Sequence, residues 1–353
     1  MAIKLDMSKA YDRIEWAFLE GMIHTLGFPE KWISLIMRCV DSVTYSFLIN
    51  GEVCGNIKPS RGLRQGDPLS PFLFLFCTEG LSNLIQQAQH RGTITGFRCS
   101  RDGPAVTHLF FADDNLLFTK ANEVNCVAIR NLLQVYATAS DQVINYNKSA
   151  MCVSPSYSAS VAERLAYVMG IKLVDCHENY LGLPCFTGRN KRKLFANIVD
   201  RVWAKIKGWG EKLLSVGGKE VLLKAVIQDI PTYAMSIFRL PKGLISELQR
   251  LCARFWWGST ENHMKIHWCS WDRLCKSKDE GGLGFRDLET SNRALLAKQA
   301  WRILKNPESL AGKVLKGCYF HDCNFMDAKK KGNASLVWNS LLWGKGLLDV
   351  GVR

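Results

Sequence analysis

Thr107-His-Leu-Phe-Phe-Ala-Asp-Asp-Asn-Leu-Leu-Phe118 is the stretch whose reading decides the fold. Two apolar runs flank a short polar centre, the pattern of a β-hairpin with Asp113 and Asp114 at its turn. Adjacent carboxylates on a tight turn repel each other. A divalent cation relieves that cost, because hard oxygen ligands suit Mg²⁺. Asp-Asp-Asn is also ordinary turn chemistry, so the hairpin alone leaves both readings open.

A third acid lies far upstream. Asp6 follows Ala2-Ile-Lys-Leu5, a short strand by composition. From about Lys9 the apolar residues Ile14, Phe18, Met22 and Ile23 fall near helical spacing, predicting a helix that ends at Gly27. Asp6 therefore sits where a strand ends and a helix is about to begin. It reads either as a helix N-cap or as the third member of a carboxylate site. Asp12 competes for the ligand role but falls inside the predicted helix. A strand-end acid beside a hairpin-turn pair suits two-metal phosphoryl transfer.

Several ordered blocks carry a family resemblance. Lys4-Leu-Asp-Met-Ser-Lys-Ala-Tyr-Asp-Arg-Ile-Glu-Trp16 resembles motif A of non-LTR (LINE-type) retrotransposon reverse transcriptases of the plant kind. Ser60-Arg-Gly-Leu-Arg-Gln-Gly-Asp-Pro-Leu-Ser-Pro-Phe-Leu-Phe74 resembles motif B, and Phe111-Ala-Asp-Asp114 resembles motif C in its Phe-first form. Ile144-Asn-Tyr-Asn-Lys-Ser149 is similar to motif D, and Tyr180-Leu-Gly-Leu-Pro184 to the primer-grip region. Trp209 to Ser215, Phe255-Trp-Trp-Gly258 and Gly281-Gly-Leu-Gly-Phe285 match later blocks, so the likeness covers nearly the whole chain.

The resemblance implies an RNA-directed DNA polymerase that extends a DNA primer on an RNA template with deoxynucleoside triphosphates. It implies two Mg²⁺ ions, with Mn²⁺ as an alternative. Asp6 and Asp113 would be the principal metal ligands, Asp114 the neighbouring acid, and Met7 a ligand only through its backbone carbonyl. Tyr11 would stand against the sugar 2′ position; its other reading is a core aromatic. Arg64, Gln65 and Gly66 would contact nucleotide and template, with Phe111 and Ala112 beside them. Gly62 and Gly66 would let the backbone approach closely. Lys148 would be the general acid for the pyrophosphate leaving group; otherwise it is a solvated charge. The family's fingers region and endonuclease domain precede motif A, and this chain begins almost on that motif. The expectation is a truncated copy with weak or no activity, or a catalytically dead remnant that only binds nucleic acid. Residence is expected to be intracellular, and nuclear by family.

The fold class expected is α+β. Residues 1–153 are expected to form a reverse-transcriptase palm, an antiparallel sheet with helices on one face. Residues 154–260 would form the primer-grip region and a helical thumb, and residues 261–353 a helical C-terminal region of unknown role. Further helices are predicted after Pro68 through Ile85, over about 124–139, and over about 291–304. Residues 154–160 read as a linker. In the thumb, Leu194, Ile198 and Val202 recur every fourth residue, and the other face carries Arg189, Lys191, Arg192, Lys193, Lys205 and Lys207. That face is either a phosphate-tracking surface or a solvated one. Trp203, Trp209, Trp256 and Trp257 are stacking candidates or core residues.

The formal charge is +14, which favours a polyanionic partner. No apolar run approaches the roughly 18 residues of a membrane span, and no basic-then-apolar leader opens the chain. The 13 cysteines are scattered and form no CxxC pair, so they read as reduced core residues. His263, His267, Cys269 and Cys275, and likewise Cys318, His321 and Cys323, cluster without a recognised zinc-finger spacing; the second group lacks a fourth local ligand.

Overall fold

Strand β1 (Ala2–Leu5) organises the first half of the chain. Its alternation buries Ile3 and Leu5 completely, or nearly so, and turns Ala2 and Lys4 the other way. The structure, a computed structural model, describes residues 1–177, 179–185, 194–210, 214–259, 264–330 and 332–351. The chain makes two compact units: Met1–Arg98 with Ala105–Phe186, and Cys99–Pro104 with Thr187–Arg353.

The first unit holds β1, β2 (Met7–Ser8), α1 (Trp16–Thr25), α2 (Glu30–Asp41), β3 (Tyr45–Ile49), β4 (Glu52–Ile57) and α3 (Ser70–His90). It continues with β5 (Phe97–Arg98), β6 (Ala105–Val106), β7 (His108–Phe111), β8 (Asp114–Phe118) and α4 (Glu123–Ser140). Then come β9 (Val143–Ile144), β10 (Ala150–Cys152), α5 (Ala159–Met169), β11 (Lys172–Leu173), β12 (Asn179–Tyr180) and β13 (Leu183–Pro184). A five-stranded sheet runs β11-β10-β1-β8-β7, antiparallel except for the β10–β11 pair. Ile3, Leu5, Leu117 and Met151 from this sheet share one core with Leu19 and Ile23 of α1, Phe74 and Leu81 of α3, and Ile129 and Leu133 of α4. The hairpin, the strand before Asp6 and the helices after Pro68 and near 124–139 are all present. The class is mixed α and β, as expected.

Three expectations are corrected. The first helix starts at Trp16, not near Lys9. Lys9 adopts φ +50°, and the Tyr11 and Ile14 carbonyls accept the Leu63 and Gly62 N–H groups at 2.8 Å, so residues 9–13 form a turn. Asp6 therefore leads into β2, which pairs with β9, rather than into a helix. The segment 154–160 is no free linker: it runs into α5, and the β11 that follows joins β10 in the main sheet. Only Cys77, Cys126 and Cys252 of the cysteines are buried; Cys39, Cys99, Cys176, Cys185 and Cys323 are exposed, and all are reduced.

The second unit is helical among its described residues: α6 (Ala196–Gly210), α7 (Val216–Leu222), α8 (Thr232–Met235), α9 (Lys242–Trp257), α10 (Trp271–Cys275), α11 (Leu288–Lys305), α12 (Leu310–Tyr319) and α13 (Leu336–Gly351). The predicted helix over 291–304 is α11. Trp338 of α13 is fully buried, with Tyr319 and Phe320 stacked on it at 4.6 and 5.6 Å. Among the described residues no helix is long and apolar enough to cross a membrane.

Asn292 of α11 pins the chain that connects α8 to α9. Its Oδ1 accepts the Leu240 N–H at 2.9 Å, and its Nδ2 donates to the Met235 and Phe238 carbonyls at 2.6 and 2.9 Å. The side chain is completely buried. Asn292→Ala leaves one N–H and two carbonyls without partners, a loss of about 3 kcal/mol. Urea unfolding should show that loss, with faster hydrogen exchange at Leu240; an unchanged midpoint and exchange rate would contradict the assignment.

Candidate active site

The β1–β8 register pairs Lys4 with Leu116 and Leu5 with Asn115. Carried one residue further, it sets Asp6 opposite Asp114. Partners across antiparallel strands share a face, so Lys4, Asp6 and Asp114 lie on the face opposite Ile3, Leu5 and Leu117. Phe111, paired with Asp114 across the hairpin and exposed, belongs to this same face. Ala112 takes φ +51° to close the turn, and Asp113 stands exposed at its tip.

The backbone of Asp6 is held from both sides. Its N–H donates to Ser149 Oγ at 3.1 Å, and its carbonyl accepts the Asn145 N–H at 2.8 Å. Ser149 is buried and donates in turn to the Asn145 carbonyl at 2.8 Å. The motif D segment thus clamps the Asp6 main chain, while Lys148 points from the same turn as an exposed residue. Met7 is buried in β2, opposite Ile144.

Tyr11 packs as a core aromatic and also lies near Asp113. Its ring stacks on Phe74 at 4.8 Å and 16°. Burial, and then the negative charge of Asp113, push its phenol above the ordinary range, so Asp113 lies within electrostatic reach. The motif B loop is bonded to the motif A turn. Besides the two backbone bonds at Tyr11 and Ile14, Trp16 Nε1 donates to the Gly62 carbonyl at 2.8 Å, and Gln65 Nε2 donates to Asp12 Oδ1 at 3.2 Å. An open cleft of about 530 Å³ lies beside this loop, lined by Asp12, Tyr45, Pro59, Arg61, Arg64 and Gln65.

Sequence reasoning missed Lys4. Its Nζ lies 3.6 Å from Asp114 Oδ1 and 3.5 Å from the Asn179 carbonyl. Strand alternation held the signal, since Lys4 stands two residues before Asp6. It also missed Ser149 and Asn115. The buried Asn115 donates to the Asp113 carbonyl at 3.3 Å, while its Oδ1 has no partner. By donor type the site fits a hard divalent ion, since only carboxylate and carbonyl oxygens are involved. The side chains have not closed into a cage: among the described residues no three His, Cys, Asp or Glu groups are gathered closely enough to hold a metal. The same holds for the two cysteine–histidine clusters, of which His263 lies outside the described residues.

In the second unit Lys205 and Lys207 are exposed on α6; Lys207 stands opposite buried Ile198, whereas Lys205 lies on the side of Ile198 and Val202, and Lys207 Nζ sits 4.9 Å over the Trp203 ring. Arg189, Lys191, Arg192 and Lys193 lie outside the described residues. Trp209 packs on Phe255, Trp256 on Phe285 and Trp257 on His267, so these three are not free platforms.

Residues 1–185 match the model of the reverse transcriptase (RNA-dependent DNA polymerase) family. The chain is 46% identical over 124 residues to an uncharacterised mitochondrial protein of Arabidopsis thaliana, covering 35% of this chain and 80% of that one. It is 37% identical over 171 residues to a putative ribonuclease H protein of the same plant, covering 48% and 27%. It is 31% identical over 117 residues to the Pol polyprotein of a type-2 retrotransposable element of Drosophila melanogaster, covering 33% and 10%. The chain thus spans most of the first relative and about a quarter or less of the other two. It belongs to the reverse transcriptase family, and its relatives agree with the LINE-type retrotransposon likeness of its motifs.

The motif A–B junction yields a matched test. Gly62 and Gly66 have nearly equal φ, +86° and +84°. A Cβ on Gly62 would lie 2.6 Å from the Asp12 carbonyl oxygen, whereas one on Gly66 meets nothing within 4 Å. Gly66→Ala should cost about 1 kcal/mol from φ strain alone. Gly62→Ala should cost about 2 kcal/mol more, because backbone must move. Equal losses in thermal unfolding would show that the junction is not tight.

Proposed function

We propose that this chain carries the palm of an RNA-directed DNA polymerase, extending a DNA primer on an RNA template with deoxynucleoside triphosphates. The observation that supports this best is the β1–β8 register, which sets Asp6 against the hairpin bearing Asp113 and Asp114. Asp6 and Asp113 would hold two Mg²⁺ ions, or Mn²⁺, with the Met7 carbonyl as a further oxygen and Asp114 as the neighbouring acid. Bound there, the ions supply charge neutralisation and an activated primer hydroxyl.

The chain's own residues do the positioning. Asn145 and Ser149 fix Asp6 through its backbone. Phe111 and Ala112 shape the hairpin turn. Tyr11, stacked on Phe74, presents a rigid edge where the sugar 2′ position would lie. Arg64 and Gln65 border the open cleft, Gly66 follows them in the same loop, and the three would receive nucleotide and template. Lys148 would give a proton to the departing pyrophosphate. Lys205 and Lys207, with Arg189, Lys191, Arg192 and Lys193, would contact phosphate backbone.

A second reading, nucleic-acid binding without catalysis, is favoured by one observation: Lys4 already pairs with Asp114, 3.6 Å from its Oδ1.

A primed RNA template with Mg²⁺ and deoxynucleotides separates the two. Under the first reading the chain extends the primer, Asp113→Asn cuts extension by more than about 100-fold, and Lys148→Ala by about 100-fold. Extension that survives Asp113→Asn would show the site to be elsewhere. Duplex binding with no extension leaves the second reading. In either case replacing Lys205 and Lys207 with Ala should flatten the slope of log affinity against log salt by about 2; an unchanged slope would remove α6 from the interface.

A further inference from the structure

Residues Cys99–Pro104 form a short strap that belongs to the second unit, although β5 and β6 on either side of it belong to the first. The strap lies on α12. A Cβ at Gly317 would fall 2.5 Å from Ser100 Oγ and 3.1 Å from Gly103 Cα, so only a glycine there lets the strap come this close. The strap is itself tight: a Cβ on Gly103 would meet Ser100 Oγ at 2.7 Å. Ser100 Oγ is buried without a hydrogen-bond partner, so packing rather than bonding seats it.

This seating brings together two thiols that stand far apart in sequence. Cys99 adjoins Ser100 and Cys318 adjoins Gly317, and the Cys99 thiol is within hydrogen-bonding contact of Cys318. Both are reduced; Cys99 is exposed and Cys318 half-buried. Burial first, then the charge and hydrogen bond of Cys318, hold the Cys99 thiol above its ordinary range. Cys99 is also the nearby sulfur that the local Cys318, His321 and Cys323 cluster lacks in sequence, yet no metal-holding group forms there among the described residues.

We propose that Cys99 and Cys318 are a thiol pair that a disulfide oxidant such as oxidised glutathione converts to an intramolecular disulfide, fastening the strap to α12. The step is ordinary exchange. Whichever thiol ionises first attacks a glutathione sulfur, breaks its S–S bond and releases one glutathione thiolate. The second protein thiolate then attacks the mixed disulfide, forms the Cys99–Cys318 bond and releases the other glutathione. Two electrons pass from the protein thiols to the oxidant, and the two protons they lose end on the glutathione thiols.

The full chain, treated with oxidised glutathione, alkylated and digested without reductant, tests this. The expected result is a linked peptide pair containing Cys99 and Cys318, appearing before any other pair, with loss of two of the 13 free thiols. A reductant should restore both. Cys99→Ser and Cys318→Ser, each checked for fold by circular dichroism, should abolish that pair. Formation of a Cys318–Cys323 pair first would overturn the proposal. So would stable mixed disulfides on both residues, or stoichiometric bound zinc that protects both from alkylation.

Discussion

The pairing of β1 on both of its edges is the constraint on which the site depends. Ile3 faces Leu117 on one side and Met151 on the other. Because side chains alternate, a slip of one residue in either ladder would turn Ile3 and Leu5 out of the core and drive Lys4 and Asp6 into it. Burying two ionised groups among Leu19, Phe74 and Leu133 costs far more than a domain's margin of stability. The hydrophobic core therefore fixes the position of Asp6 without any contact to its carboxylate. The same register brings in Lys4, whose charge offsets part of the repulsion between neighbouring acids.

A second constraint acts across long sequence separation. The turn after Asp6 has no helix to satisfy its carbonyls, and the loop around Gly62 supplies the donors instead. Each segment completes the other's hydrogen bonding, so motif A's turn and the border of the cleft are one rigid piece. Arg61 joins it by bonding Asp141 at 2.6 Å, next to the end of α4. The cleft is thus positioned by main-chain bonds, which leaves the Arg64 and Gln65 side chains at its border exposed.

These two constraints explain what the sequence disclosed. Local alternation exposed β1, the hairpin and the open-face acids, since strand periodicity and turn chemistry are short-range signals. The apolar spacing of Ile14, Phe18, Met22 and Ile23 is genuine, but it extended the first helix too far. What stops that helix is Leu63 and Gly62 N–H groups roughly fifty residues away, which no window over residues 9–26 contains. The two-residue β2–β9 ladder was equally hidden, and with it the role of Ser149, because a ladder that short has no periodicity to read. Lys4 was legible from alternation alone, since it stands two residues before Asp6 and on the same face, but its partner Asp114 comes from the neighbouring strand more than a hundred residues away.

Two buried asparagines, one in each unit, differ in how fully their amides are satisfied. In the second unit Asn292 is buried with every amide hydrogen bond directed to backbone, which makes it a structural bolt. In the first unit the buried Asn115 is left half-satisfied, its Nδ2 on the Asp113 carbonyl and its Oδ1 without a partner. An unpaired buried oxygen costs about 1–3 kcal/mol. The fold bears that cost directly beneath the hairpin turn, where Asn115 constrains the backbone of Asp113 while the Asp113 carboxylate stays exposed. Packing below the turn and freedom above it form one arrangement: the main chain of each acid is held by buried polar groups, Ser149 for Asp6 and Asn115 for Asp113, and the carboxylate oxygens are left to whatever charge approaches the open face.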